Sequence, residues 1–120
     1  MTKEYTAAFV MLRNEASDPV IMDYNFYVYI LTNMHRQVLY TGVTNNLSRR
    51  IFEHTEDANG EKKTFAGKYN CIYLVYWERF QYIDKAISRE KEIKGWKREK
   101  KYNLIRYFNP ELRFLNDEVE

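Results

Sequence analysis

The chain is poor in the residues that punctuate or cross-link a fold: one cysteine, two prolines and four glycines in 120 residues. The single Cys71 excludes an internal disulfide and points to a reducing compartment. Without a CxxC pair, and with only two histidines, there is no basis for structural zinc. Cys71 itself reads as a small buried hydrophobe at the start of a strand. Little Gly or Pro also leaves no room for a long flexible linker, and the length suits one domain. No apolar run approaches the roughly 20 residues that span a bilayer, so no membrane association is expected. Residues 6–12 come nearest to a signal-peptide core, but Glu4, Arg13 and Glu15 flank them and no small-residue cleavage site follows. The cytoplasm is the expected location.

Net charge is also small, at +2. Its distribution is not even. Residues 85–106 carry nine basic side chains against three acids, whereas residues 111–120 carry four acids against Arg113. A basic block beside an acidic segment is the kind of polarity that steers a polyanion. What the chain has in excess is tyrosine, eleven in all. Tyrosine covers apolar surface while keeping a polar tip, which suits a half-wet site as well as a core.

Residues 1–23 show no clear period and contain the turn-type pair Asp18-Pro19. They read as a leader outside the core, with Met22 as a candidate alternative start. Residues 26–32 (FYVYILT) have the aromatic and β-branched composition of a strand, and residues 38–43 (VLYTGV) form a second after a mostly polar turn. A helix capped by Thr44 or Asn45 follows to about Glu56, then a loop over 57–68 with a turn at Asn59-Gly60. Residues 72–78 make a third strand. Asp84 is the expected cap of a helix over 85–94, with Gly95 as its terminator. A last helix spans 96–108 and stops ahead of Pro110, because the residue before proline avoids helical geometry. The fold class is therefore α+β: a three-stranded antiparallel sheet flanked by helices in the order β-β-α-β-α-α. The domain spans residues 24–110, with 111–120 as an acidic tail.

Within this frame, Tyr27-Val28-Tyr29 followed by Tyr40-Thr41-Gly42 resembles the paired signatures of the GIY-YIG nuclease superfamily. Asn45-Asn46-Leu47 with Arg49-Arg50, then His54, then the run from Ala86 to Glu90 follow at family spacing. The stretch from Arg89 to Trp96 is similar to the stand-alone bacterial branch, which in turn resembles the N-terminal nuclease domain of excinuclease C. The resemblance covers residues 26–110. Tyr27 stands where the first signature has Gly, and Thr41 where the second has Ile; neither change removes an expected catalytic group.

The resemblance implies a metal-dependent endonuclease that hydrolyses phosphodiester bonds in DNA, of a structured or damaged kind suited to DNA repair. Tyr40 is the implied general base or water-orienting group, with Tyr29 as its partner. A free phenol has pKa ~10, so this role demands nearby cations or a metal-bound water. Gly42 leaves room for a close approach. Arg50 offers a planar fork of donors that fits phosphate oxygens. His54, four residues on, shares its helix face. Glu90 is the implied ligand of one divalent ion, Mg²⁺ or Mn²⁺, since one carboxylate plus water suffices for an ion that keeps much of its hydration. Glu92 is a weaker competitor, expected to pair with a nearby lysine. Arg49, Lys68, Lys94, Lys97, Arg98 and Lys101 are candidate contacts to the DNA backbone, and Asn109 a candidate phosphate donor or an ordinary helix stop. Phe65 and Tyr69 lie in the same loop as Lys68 and are further candidates. No zinc finger or helix-turn-helix is appended, so target specificity would come from a protein partner. The alternative is a non-catalytic nucleic-acid-binding module that retains the nuclease fold, against which the intact Tyr40, Arg50 and Glu90 argue.

Overall fold

The computed structural model describes residues 25–119, and the leader expected at residues 1–23, Met22 included, lies outside them. Strands β1 (Phe26–Thr32), β2 (Leu39–Thr44) and β3 (Tyr73–Phe80) form one antiparallel sheet in the order β2-β1-β3. Around it lie helices α1 (Leu47–Asn59), α2 (Phe65–Lys68), α3 (Ile83–Lys94) and α4 (Arg98–Phe108), followed by a 3-10 turn at Asn116–Glu118. This is the expected α+β architecture with one short helix, α2, added.

The central strand explains the layering. Successive side chains of a strand point to opposite faces, and β1 is apolar on both. Phe26, Val28 and Ile30 enter one core with Ile83, Ala86 and Ile93 of α3 and Ile105 of α4. Tyr29 and Leu31 enter the other with Leu47 and Ile51 of α1, Ala66 of α2, and Cys71. Cys71 is thus the buried hydrophobe expected, its thiol pushed up to about 11 by burial. Ile30 pairs with Tyr76 and Leu31 with Leu74, so Val75 is the extra residue of a bulge. Val75 and Tyr76 consequently both serve the first core.

Several boundaries differ from the sequence reading for local reasons. Asn46, not Thr44 or Asn45, caps α1, its side chain accepting from the Arg49 N–H at 3.0 Å. Thr64 opens α2 in the same way, accepting from the Gly67 N–H at 2.9 Å. Helix α3 begins at Ile83 after Tyr82, which leaves Asp84 in the first turn, where a negative charge favours the helix dipole. It does end at Gly95, but with φ −80, not in the left-handed conformation of a glycine terminator.

Residues 109–119, expected in large part as a tail, are tied to the exposed edge of β3. The Leu115 N–H donates to the Leu74 carbonyl at 2.7 Å. The Asn116 side chain accepts from the Leu74 N–H at 2.9 Å and donates to the Ile72 carbonyl at 2.9 Å. Asn109 donates to the Val75 carbonyl at 3.1 Å and to that of Arg113 at 2.8 Å, while its own oxygen accepts from the Arg113 N–H at 3.1 Å. The segment thus satisfies backbone groups that an edge strand would otherwise expose. Replacing Asn116 by Ala strands two of them, and we expect a loss of about 1–3 kcal/mol in urea unfolding with an unchanged denaturant slope.

Candidate active site

Two helices carry a polar residue where their buried stripe calls for an apolar one. On α1 the buried positions are Leu47, Ile51, His54 and Ala58, and on α3 they are Ile83, Ala86, Glu90 and Ile93. His54 is 2% exposed and Glu90 only 1%. A histidine and a carboxylate so placed cost stability unless they are paired, which makes the spot a candidate site.

Both are paired. The Tyr29 hydroxyl and His54 Nε2 are hydrogen-bonded at 3.0 Å, with the direction of donation set by the imidazole tautomer. Tyr29 is fully buried, so it positions His54 and Tyr40 and does not itself meet solvent. Tyr29 faces Gly42 across the hairpin and Tyr40 faces Leu31, which makes the two tyrosines diagonal neighbours on one face. Their ring centroids lie 6.2 Å apart, and Tyr40 meets His54 edge-on at 5.2 Å. Tyr40 is only half-buried, so of the two phenols it is the one open to a substrate.

Glu90 is ion-paired with Lys94, one helical turn on. The Lys94 ammonium also lies 5.7 Å from the Tyr40 ring centroid, so it joins the carboxylate of α3 to the phenol of β2. Lys94, expected on a DNA-backbone track, is thus turned inward: its side chain is 23% exposed. The i, i+4 spacing from Glu90 was the signal for this pairing.

Arg50 sits one turn before His54 on α1, its guanidinium donating to Glu53 at 2.8 Å. Arg49 is exposed and donates to Asn45 at 3.3 Å. Glu92 pairs with Arg89 at 2.7 Å, not with a lysine, and Arg89 also reaches Glu78 at 3.1 Å. Burial works against the Arg89 charge, but the bonds to Glu92 and Glu78 outweigh it and hold the guanidinium firmly protonated.

The remaining candidates divide. Asn109 is 4% exposed and its amide is committed to the β3 edge, so it is a structural latch and not a phosphate donor. Arg98 donates to the Gln37 carbonyl and to the Tyr102 hydroxyl, fastening α4 to the hairpin turn, although it remains exposed. Lys97 is exposed at the start of α4. Lys101 is partly buried, and that burial, with the charges of Arg98 and Lys94, lowers its pKa. Lys94, Arg98 and Lys101 therefore share one positive field next to Glu90. Lys68 is exposed on α2, with its ammonium 5.5 Å from the Tyr69 ring.

Asp57, in the last turn of α1 and not in the loop expected over 57–68, fixes α2 beside Tyr40. Its carboxylate accepts from the N–H groups of Lys63 at 2.8 Å and Thr64 at 2.9 Å, and from the Thr64 hydroxyl at 2.7 Å. A Cβ built on Gly67 would collide with this carboxylate, so a larger residue there would push it off its hydrogen bonds.

The fold and the match over most of the chain define its class as a nuclease family. A family model for the GIY-YIG catalytic domain matches residues 25–103, and the chain belongs to that family. It is similar to UPF0213 proteins: 42% identical over 79 residues to one from Natronomonas pharaonis, covering 66% of this chain and 88% of the relative. Another, from Staphylococcus saprophyticus, is 35% identical over 79 residues, covering 66% and 92%. A solved structure, the solution NMR structure of a UPF0213 protein from Bacillus halodurans, matches at 33% identity with a TM-score of 0.43, covering 68% of this chain and 82% of that one. Among the described residues no helix is long and apolar enough to cross a membrane.

Two outcomes follow from the site's electrostatics. Removing Lys94 takes an ammonium away from a carboxylate that is 1% exposed, so Lys94→Ala should cost about 1–3 kcal/mol in chemical unfolding. The double change Glu90→Met with Lys94→Met should leave stability equal or raise it by up to about 4 kcal/mol. Asp57 supplies a pH dependence. Its backbone hydrogen bonds, from Thr64 first, hold the carboxyl below its ordinary 3.8. A depressed folded pKa stabilises fully above the unfolded value, and the gain is lost as pH falls through the folded one. Thermal melts of wild type and Asp57→Asn should therefore differ most above pH 3.8 and converge below it.

Proposed function

We propose that the protein is a metal-dependent endonuclease that hydrolyses phosphodiester bonds in DNA. The observation that carries this reading is the Glu90 carboxylate, buried on α3 yet linked through Lys94 to the half-buried phenol of Tyr40. Stability alone does not account for such a pair, since apolar residues of similar volume would serve the core as well.

In this reading Tyr40 orients the attacking water and accepts its proton, with the ring held in place by His54 and, behind it, Tyr29. Positive charge close to a phenol favours the phenolate, which is what a base near neutral pH requires. Arg50 leaves Glu53 to engage the phosphate with its guanidinium fork, where charge builds up in the transition state. Lys97, Arg98 and Lys101, with Arg49 and Lys68, line the approach and contact the DNA backbone, so binding weakens with salt.

The residues present fit a single hydrated Mg²⁺ or Mn²⁺. Glu90 is a buried carboxylate that already attracts a cation, the Lys94 ammonium. No group of three or more His, Cys, Asp or Glu among the described residues forms an all-protein cage, and an ion that keeps its waters needs none. Glu90 would hold it, and when bound it supplies Lewis-acid stabilisation of the phosphate and of the leaving 3′ oxygen.

The test is a panel of single-stranded, duplex and branched DNA, with Mg²⁺ and with chelator, alongside Glu90→Gln. We expect cleavage by the wild type that chelator abolishes, and a loss of about 100-fold or more in Glu90→Gln with DNA binding retained. Equal cleavage by the variant would overturn the reading. Salt-sensitive binding with no cleavage, indifferent to chelator, would identify a binding module instead.

A further inference from the structure

One surface next to the site is not used by this chemistry. Phe65 on α2 is 50% exposed, and Tyr69, the residue that ends the helix, is 42% exposed. The Phe65 and Tyr69 centroids are 4.8 Å apart, and Phe65 lies nearly parallel to Tyr40, at 6.2 Å and 25°. Lys68 stands between them in sequence, its ammonium 5.5 Å from the Tyr69 ring. Each ring packs against an aromatic neighbour and leaves the rest of its surface to solvent beside the polar site. Their placement is nonetheless enforced: Asp57 of α1 holds the end of the loop at Lys63 and Thr64, Thr64 caps the helix, and a side chain at Gly67 would press on the Asp57 carboxylate.

Resting on the nuclease reading, we propose that Phe65 and Tyr69 form a stacking platform for a nucleobase of an unpaired strand, next to the phosphate that Tyr40 addresses. The occupant follows from chemistry. Aromatic faces pair with bases through their π-faces, whatever the sequence. In duplex DNA those faces are covered by neighbouring base pairs, so only an unpaired or extruded base presents one. Lys68 adds positive charge for the strand's phosphate, and the stack of Phe65 on Tyr40 makes the platform continuous with the site. The substrate class is then DNA with single-stranded character at the cut: a flap, a loop or a free single strand.

The experiment uses the full chain in chelator, so that binding is read without cleavage. The probe is an oligonucleotide carrying the fluorescent base 2-aminopurine, as a single strand and as the matching duplex. We expect quenching in the single strand, tighter binding of that form, and a loss of about tenfold or more in Phe65→Ala with duplex binding unchanged. Phe65→Trp should retain the preference, which separates loss of stacking from loss of fold, and Tyr69→Ala should weaken the same form. Equal losses on both forms, no loss on either, no binding of the single strand by the wild type, or an effect of Phe65→Ala on self-association alone would overturn the platform. Parallel cleavage with Mg²⁺ separates the two readings. Cutting that needs Glu90 but ignores Phe65 removes the platform alone, whereas Phe65-dependent binding without any cutting supports the platform and removes the nuclease reading.

Discussion

The alternation of side chains along the central strand is the constraint from which the rest of the molecule follows. Because β1 is paired on both edges and buried on both faces, its register assigns each residue irrevocably to one core or the other. Val28 and Ile30 anchor α3 and α4; Tyr29 and Leu31 anchor α1 and α2. A slip by one residue would exchange the two sets, withdraw Tyr29 from His54 and leave α1 facing Val28. The hairpin to β2 then delivers Tyr40 to the same face as Tyr29, within reach of helices that arrive from both layers.

The polar residues of the site are held by that apolar frame at the expense of its continuity. His54 and Glu90 each interrupt a stripe of otherwise apolar side chains. Charge balance is kept locally, by Lys94 on Glu90, Glu53 on Arg50, and Glu78 with Glu92 on Arg89. Arg50 and Lys94 are therefore held by intramolecular carboxylates, while the exposed cations of α4 remain at the surface. Each of these charges thus has its counter-charge on the same or a neighbouring element.

Much of this was legible from the residues alone. Strand composition gave the three strands, and the ordered signatures around Tyr29, Tyr40, Arg50, His54 and Glu90 pointed to the family. What sequence reasoning missed depends on three-dimensional neighbours. The inward turn of Lys94 requires knowing that Glu90 lies on the buried stripe, although their spacing hinted at it. The helix at residues 65–68 hides behind a run of charged residues, because its cap is Thr64 and its brace Asp57, and neither is periodic. Asn109 looks like a helix stop or a phosphate donor, and only the position of Val75 shows where its amide is committed. The acidic composition of residues 111–120 concealed Leu112 and Leu115, which are buried at 8% and 3% exposure.

That last segment has a bearing on modularity. The family match ends at residue 103, before Asn109, Leu115 and Asn116. A piece of the chain trimmed to the matched region would keep every side chain proposed for catalysis and still carry an unguarded β3 edge, with open amides and carbonyls ready to recruit a second copy. The boundary of the family match and the boundary of the segment that covers the β3 edge are therefore different lines in this protein. A graft or fusion has to respect the second.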